Sequence, residues 1–183
     1  EQLSAQALQY LPSATLCYPL TTQGERFPFR SDQATRFCEP ATNHSVRRFA
    51  ASLQGTAFIE RLAHEVLDQV TRETTTKRCD VFATGGGSRN DHWLQLRADV
   101  TGRTVHRPAC PESAFGSAIL AAAGAGLGDL WQASRQMVQI EKTTVPDLSR
   151  KDQYDTYYEK FKSLLRAKGY LRNSPAPAGR NSL

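Results

Sequence analysis

Three consecutive glycines, at positions 85–87, separate two segments of opposite structural preference. Residues 79–83 form a short β-prone run, whereas residues 90–100 carry apolar side chains at helical spacing. Because glycine has no Cβ atom, this segment permits a sharp turn and the close approach of another molecule. A β-prone run at 104–107 follows, and then an Ala/Gly-rich helix at 114–125 whose small side chains are expected to let it lie close against a sheet. Strand, helix, strand and helix in this order predict an α/β layer with parallel strands.

The glycine turn directly precedes a helix, and this position predicts a site for an anionic ligand. The first amides of a helix have no intrahelical acceptor, and the helix dipole places partial positive charge at the same end. Phosphates and nucleotides suit such a turn; a tight turn without a ligand is the alternative. A P-loop is excluded because the chain has no Gly-Lys dipeptide. The dinucleotide motif G-x-G-x-x-G does not fit either, because Asn90 occupies the position of its third glycine. The next strand ends in His106-Arg107 instead of the acid that binds the ribose of NAD, so only an NADP site stays open, through Arg107.

Two amphipathic helices are predicted on either side of this region. Apolar side chains recur at steps of three and four across residues 46–70, and Asn43 is the expected N-cap of that helix. A stripe of Tyr, Phe and Leu across residues 154–165 predicts a second helix whose apolar face belongs to the core. Residues 149–152 fit a capping box at its start, and Gly169 is expected to end it.

The other segments have weaker patterns. We expect the end of a helix at 4–11, a loop-rich extended stretch at 21–43 and a short helix at 130–137. Residues 138–145 resemble a polar, strand-like linker, and residues 173–183 are predicted to be a disordered tail because they combine two prolines with no apolar period.

Composition narrows the possible partners and environment. The net charge is +5, but Lys and Arg alternate with Asp and Glu without a block of five like charges, so nucleic-acid binding is not favoured. No stretch of about 18 apolar residues is present, so we expect no membrane span, and no secretory leader is recognised. Cys17, Cys38, Cys79 and Cys110 are scattered without a metal-ligand spacing, which predicts reduced thiols, no metal site and a cytoplasmic protein.

The glycine segment and its surroundings resemble a known family. Residues 85–95 (GGGSRNDHWLQ), with Ala-Asp-Val at 98–100 and PESAFGSA at 111–118, are similar to the glycine-rich ATP segment of the FGGY carbohydrate kinases. The similarity continues upstream through GERFP at 24–28 and LQGTAF at 53–58. It implies an α/β fold of the actin-like (ribonuclease H-like) ATPase type, here a partial domain with a parallel-containing sheet flanked by helices.

The resemblance also implies a function and a set of site residues. Family members phosphorylate a sugar hydroxyl with ATP and Mg²⁺ in a cleft between two domains. Gly86 and Asn90 fall where members of the family contact the adenosine, while Gly85 and Gly87 complete the turn beside it. Glycines admit the nucleotide closely, and an Asn amide can both donate and accept a hydrogen bond.

The chain departs from the family pattern in ways that limit this interpretation. It has no Asp-x-Gly segment to engage phosphate and metal, no recognisable catalytic Asp, and Gln54 where the family usually has Glu. We therefore interpret residues 1–172 as the nucleotide-binding C-terminal portion of a kinase, which we expect to be inactive alone. Its expected partner is the missing N-terminal part of the same protein, and a homodimer is left as a further possibility. The flanking motifs look most like those of ketopentose kinases of the D-ribulose or D-xylulose type. The alternative is a non-catalytic nucleotide-binding module of the actin-like superfamily.

Overall fold

The computed structural model describes residues 2–71 and 79–171. Within these residues the chain forms a helical layer, a small antiparallel sheet and a three-stranded mixed sheet. The helices are α1 Gln2–Ala7, α2 Ser45–Thr71, α3 Asp91–Thr101, α4 Ser113–Gly124, α5 Leu130–Met137 and α6 Lys151–Ala167. The strands are β1 Leu16–Tyr18, β2 Phe37–Glu39, β3 Val81–Phe82, β4 Val105–Pro108 and β5 Ile140–Thr144. Short 3₁₀ turns occupy Leu8–Tyr10, Gly86–Arg89 and Leu148–Arg150.

The three-stranded sheet carries the predicted parallel pair. β3 runs parallel to β4, with Val81 opposite Val105, and α3 is the crossover between them. The polar segment at 138–145, expected to be a strand-like linker, supplies β5, which pairs antiparallel with β4. Helix α3 covers one face of the sheet through a small apolar cluster. The members of that cluster are Val81, Ala83, Leu94, Ala98 and Val105.

The small sheet corrects the prediction of four reduced cysteines. β1 and β2 pair antiparallel, and their register places Cys17 directly opposite Cys38, where the two form a disulfide. Their separation of 21 residues gives no hint of this pairing, because β2 is only three residues long and lies in a stretch that reads as loop. Cys79 and Cys110 are free and exposed.

The main core lies between α2, α6 and the small sheet. The ring of Phe58 on α2 packs 5.5 Å, centroid to centroid, from the rings of both Tyr158 and Phe161 on α6. Phe161 also contacts Phe37 of β2 at 6.0 Å. Burial of each such ring contributes about 1.5–3 kcal/mol. The aromatic stripe predicted across 154–165 is therefore confirmed as core.

Two predicted helix caps are wrong. α2 begins at Ser45, one residue later than an Asn43 cap requires, and the ring Nδ1 of His44 accepts the Arg47 amide instead. The expected capping box at 149–152 is replaced by a 3₁₀ turn, in which the Asp147 carboxylate accepts the Ser149 amide at 2.9 Å. In both cases a neighbouring side chain caps a turn in a different register from the predicted one, and α6 itself begins without a side-chain cap. Gly169, with φ of +72°, follows the end of α6 as predicted.

Helix α4 does not press against the sheet as its small residues suggested. None of its residues is buried within the described part of the chain, and its neighbour is α5. A groove of about 620 Å³ separates α4 and α5 from the sheet, and Phe82, Phe115 and Trp131 are among its lining residues. The predicted tail at 173–183 lies outside the described residues.

Candidate functional site

The three glycines form a corner between β3 and α3. Gly85 has φ of +78° and ψ of −178°, a backbone conformation that is essentially restricted to glycine. Its amide donates to the carbonyl of Pro111 at 2.6 Å, which ties the corner to the loop that follows β4. The corner and this loop thus lie together at the carboxyl ends of two parallel strands, where ligands bind in open α/β sheets.

Gly86 and Gly87 present their backbone to the outside. Both are exposed, and no acceptor from residues 2–71 or 79–171 meets their N–H groups. A Cβ atom added to Gly86 would meet nothing within 4 Å, and neither residue has a positive φ. Neither backbone conformation nor packing within the described chain therefore requires glycine at position 86. An open surface with unpaired amides is what a closely approaching anionic or polar ligand needs.

Asn90 joins the corner to two helices. Its Oδ1 accepts the Trp93 amide at 3.1 Å, which makes Asn90 the N-cap of α3. Its Nδ2 donates to the Ser4 hydroxyl of α1 at 2.7 Å. An amide nitrogen carries two hydrogens, so one donor of Asn90 stays available for a ligand while the other holds α1. The structure thus brings Gly85, Gly86, Gly87 and Asn90 together, with Asn90 already in structural use.

Ser88 makes the corner rigid from inside. It is buried, its hydroxyl donates to the Gly85 carbonyl at 2.7 Å, and its amide donates to the same oxygen at 3.1 Å. Sequence reasoning did not single out Ser88 or Ser4. Their roles depend on contacts across the fold, and only the position of Ser88 within the glycine segment could have pointed to it.

Charges around the corner compensate one another. Arg107 of β4 contacts Asp91 at 2.8 Å and Glu141 at 3.0 Å, and Lys142 contacts Asp91 at 2.7 Å. The hydrogen bond from Lys142, followed by that from Arg107, holds the pKa of Asp91 below its usual range. Arg107 is thus committed to two carboxylates, which argues against the NADP alternative.

A further ion pair closes one side of the corner. Arg89, in the last position of the 3₁₀ turn, pairs with Glu112, the residue before α4. The Glu112 backbone N–H and then Arg89 lower the pKa of that carboxyl. Glu112 occupies the N-cap position of α4 but does not cap the helix through its side chain.

The described residues contain neither a candidate metal cluster nor a candidate membrane span. No group of three or more His, Cys, Asp and Glu side chains in residues 2–71 and 79–171 is placed to hold a metal ion. No helix in the same residues has the length and apolar character needed to cross a membrane.

Comparison with known proteins supplies the family. A sequence model described as the C-terminal domain of the FGGY family of carbohydrate kinases matches residues 1–125. The chain is 29% identical over 116 residues to a glycerol kinase of Shewanella woodyi, covering 63% of this chain and 22% of the relative. It is 31% identical over 98 residues to the L-xylulose/3-keto-L-gulonate kinase of Escherichia coli, covering 52% of this chain and 20% of the relative. The chain thus spans about a fifth of the length of these relatives.

A solved structure agrees with the sequence comparison. The crystal structure of a xylulose kinase from Rhodospirillum rubrum matches with a TM-score of 0.68 and 27% identity, covering 91% of this chain and 33% of that one. The fold is that of the actin-like sugar-kinase ATPases, present here as a partial domain with a mixed sheet, which confirms the predicted fold class. The chain therefore belongs to the FGGY family of carbohydrate kinases.

Proposed function

We propose that the chain is the nucleotide-binding part of an ATP-dependent carbohydrate kinase. In this proposal the adenosine of ATP lies against Gly86, with Gly85 and Gly87 shaping the corner and Asn90 offering its free amide hydrogen. The observation that carries it is the pair of exposed Gly86 and Gly87 amides, which have no acceptor among the described residues and lie at the carboxyl end of β3, where the Cβ position of Gly86 is also open. Membership of a carbohydrate kinase family supplies the nucleotide as the ligand class.

The role of these residues is to bind and orient. The amides of Gly86 and Gly87 are unpaired within the described chain and belong to the corner that Gly85 and Ser88 hold in place, so they can receive polar atoms of a ligand without rearrangement. Phosphoryl transfer depends on positioning and charge neutralisation, and Mg²⁺ bound to ATP contributes the latter. The described residues gather no candidate metal cluster, so we assign no metal-dependent step to them. We further propose that the chain lacks the catalytic Asp and is inactive alone.

Calorimetry tests the nucleotide site. The 183-residue chain titrated with ATP and magnesium should bind, and Gly86→Val should weaken binding at least about tenfold, since the added methyl groups occupy the approach path. Gly124→Val is the matched control, because Gly124 is also exposed with open space at its Cβ position. Gly86→Val should keep the urea midpoint of the parent within error, and Gly124→Val, at the last residue of α4, should keep or slightly raise it. Undetectable binding at millimolar ATP, or equal binding by Gly86→Val, would contradict the site.

A ketopentose of the D-ribulose or D-xylulose type is the sugar we propose for the whole enzyme. The similarity to an L-xylulose/3-keto-L-gulonate kinase and to a xylulose kinase structure supports this class, and the similarity to glycerol kinases makes glycerol the competing substrate. A coupled ADP-release assay on the chain with each compound should show no turnover. Turnover would contradict the proposal that catalytic groups are absent. Nucleotide binding without turnover also fits the alternative, a non-catalytic nucleotide-binding module. The intact mass of the protein from cells distinguishes the two, because only the kinase proposal requires a polypeptide longer than this chain.

We propose the remainder of the kinase polypeptide as the partner of this chain. The groove beside α4 exposes Phe82 and Trp131, at 56% and 71% of their surfaces, and among the described residues no strand pairs with the outer edge of β3. Such a surface normally contacts another part of a protein. Sedimentation of the chain should show a monomer. A stable dimer would instead indicate a second copy on this groove.

The cytoplasm is the compartment that we propose, because ATP and free sugars meet there. The Cys17–Cys38 disulfide stands against it, since cytoplasmic thiols are usually kept reduced. Alkylation of the protein in intact cells followed by mass spectrometry decides the matter. Modification of both cysteines supports the cytoplasm, and protection of both contradicts it.

A further inference from the structure

The side chain of Arg107 contacts three separate elements around the glycine corner. Its Nη1 donates to the Ser88 carbonyl at 3.2 Å and to the Asp91 carboxylate at 2.8 Å, and its Nε donates to Glu141 at 3.0 Å. Only 13% of the side chain is exposed. One guanidinium therefore connects the 3₁₀ turn, the first residue of α3 and strand β5, while its backbone belongs to β4.

The corner needs such an anchor because it has almost no side chains of its own. Gly85, Gly86 and Gly87 are exposed and contribute no packing, so fixing their backbones costs conformational entropy that no side chain of their own offsets. Contacts from neighbouring loops and strands oppose this cost: the Gly85 amide bond to Pro111, the Arg89–Glu112 ion pair and the Arg107 bond to the Ser88 carbonyl. The bond from Arg107 lies next to the exposed amides and orients the turn that presents them.

Arginine is suited to this position by its geometry. A planar fork with several fixed donors can bond a carbonyl and two carboxylates at once, whereas a lysine ammonium is a single, strongly hydrated point charge. Lys142 already neutralises part of Asp91, so the special contribution of Arg107 is the simultaneous bond to the Ser88 carbonyl.

We propose that Arg107 is a positioning residue for the nucleotide site: it holds the Ser88 carbonyl and Asp91 so that the Gly86 and Gly87 amides stand ready for the ligand. This inference rests on the proposed function. Arg107 itself does not touch the ligand. Its removal acts on affinity through the order of the corner, which separates its role from a general contribution to stability.

The experiment compares Arg107→Gln and Arg107→Lys with Arg61→Gln in the 183-residue chain. Arg61 is the matched control, because it also contacts one carbonyl, Val100, and two carboxylates, Asp155 and Glu65, near the opposite end of α3 from the corner. Amide hydrogen exchange reports the order of residues 85–91, and calorimetry reports the Kd for ATP. We expect Arg107→Gln to speed exchange in this segment and to raise the Kd about tenfold, the effect of one charge-assisted hydrogen bond.

The control and the conservative variant define the remaining outcomes. Arg61→Gln should lower the urea midpoint while leaving the Kd and corner exchange unchanged, and Arg107→Lys should recover part of the lost affinity. An unchanged Kd in Arg107→Gln overturns the inference, whether or not exchange is faster. If the parent chain binds no ATP, the proposed function fails; faster corner exchange in Arg107→Gln would then show that Arg107 orders a turn that serves another purpose.

Discussion

Replacement of Gly55 by alanine should have two opposing effects on stability, one from helix propensity and one from packing. Gly55 lies in the interior of α2, where alanine is favoured over glycine by about 1 kcal/mol. It is also buried against β1, and a Cβ atom at position 55 would lie 1.7 Å from the carbonyl oxygen of Cys17 and 2.9 Å from its carbonyl carbon. These atoms belong to the backbone of a paired strand, so they cannot rotate away as a side chain would.

Packing should decide the sign. A normal contact would require α2 and β1 to separate by more than about 1 Å, and overpacking in a filled core costs about 1–3 kcal/mol, sometimes more. The same shift would loosen Phe58, which is fully buried one turn further along α2. After subtraction of the helix-propensity gain, we expect Gly55→Ala to lose about 2 kcal/mol of unfolding free energy.

Urea denaturation followed by circular dichroism measures this loss. With a slope of about 2 kcal/mol per molar urea, the midpoint should fall by about 1 M. Gly116→Ala in α4 is the control: its Cβ position is open, so propensity acts alone and the midpoint should rise. A Gly55→Ala midpoint equal to or above that of the parent would refute the close contact of α2 with β1.

Two further substitutions test buried polar groups. Gln54 is 1% exposed and forms hydrogen bonds with both the amide and the carbonyl of Ser13, so Gln54→Glu should cost about 1–3 kcal/mol at pH 8. Burial raises the pKa of the introduced acid, so urea midpoints should show a smaller loss at pH 4; a loss independent of pH would contradict this. Burial alone would raise the pKa of Glu60, but the His64 ring, 3.7 Å away, and two hydrogen bonds from Arg97 outweigh it and lower the pKa to about 2. The ionised Glu60 side chain contributes up to about 3 kcal/mol of stability, which is present above the unfolded-state pKa near 4.3 and is lost as the pH falls towards 2. The unfolding free energy of Glu60→Gln should therefore fall less steeply between these pH values than that of the parent. An unchanged slope would refute the pairing of Glu60 with Arg97 and His64.

The parts of the fold that the sequence predicted correctly are those with strong local patterns. The apolar periods of α2 and α6, the bounds of α5 at 130–137 and the strand–glycine–helix order at the corner all follow from neighbouring residues. The parallel pairing of β3 with β4 followed from their alternation with helices.

The features that sequence reasoning missed depend on distant partners. β2 is only three residues long and β5 is polar, so the strand character of both becomes clear only from pairing with β1 and β4. The Cys17–Cys38 disulfide requires the register of β1 with β2. At the corner, the three glycines and Asn90 are neighbours in the sequence, so their grouping could be predicted, whereas Ser4 lies 86 residues from its partner Asn90 and Arg107 lies 16 residues from its partner Asp91.

Amide NMR of the chain during titration with a non-hydrolysable ATP analogue observes the proposed nucleotide site residue by residue. If the glycine corner holds the nucleotide, the cross-peaks of Gly86 and Gly87 should move furthest and saturate with the same Kd as calorimetry, and the Gly87 cross-peak should lose this response in Gly86→Val. Saturable binding that leaves these two amides unmoved while peaks elsewhere shift would contradict the account.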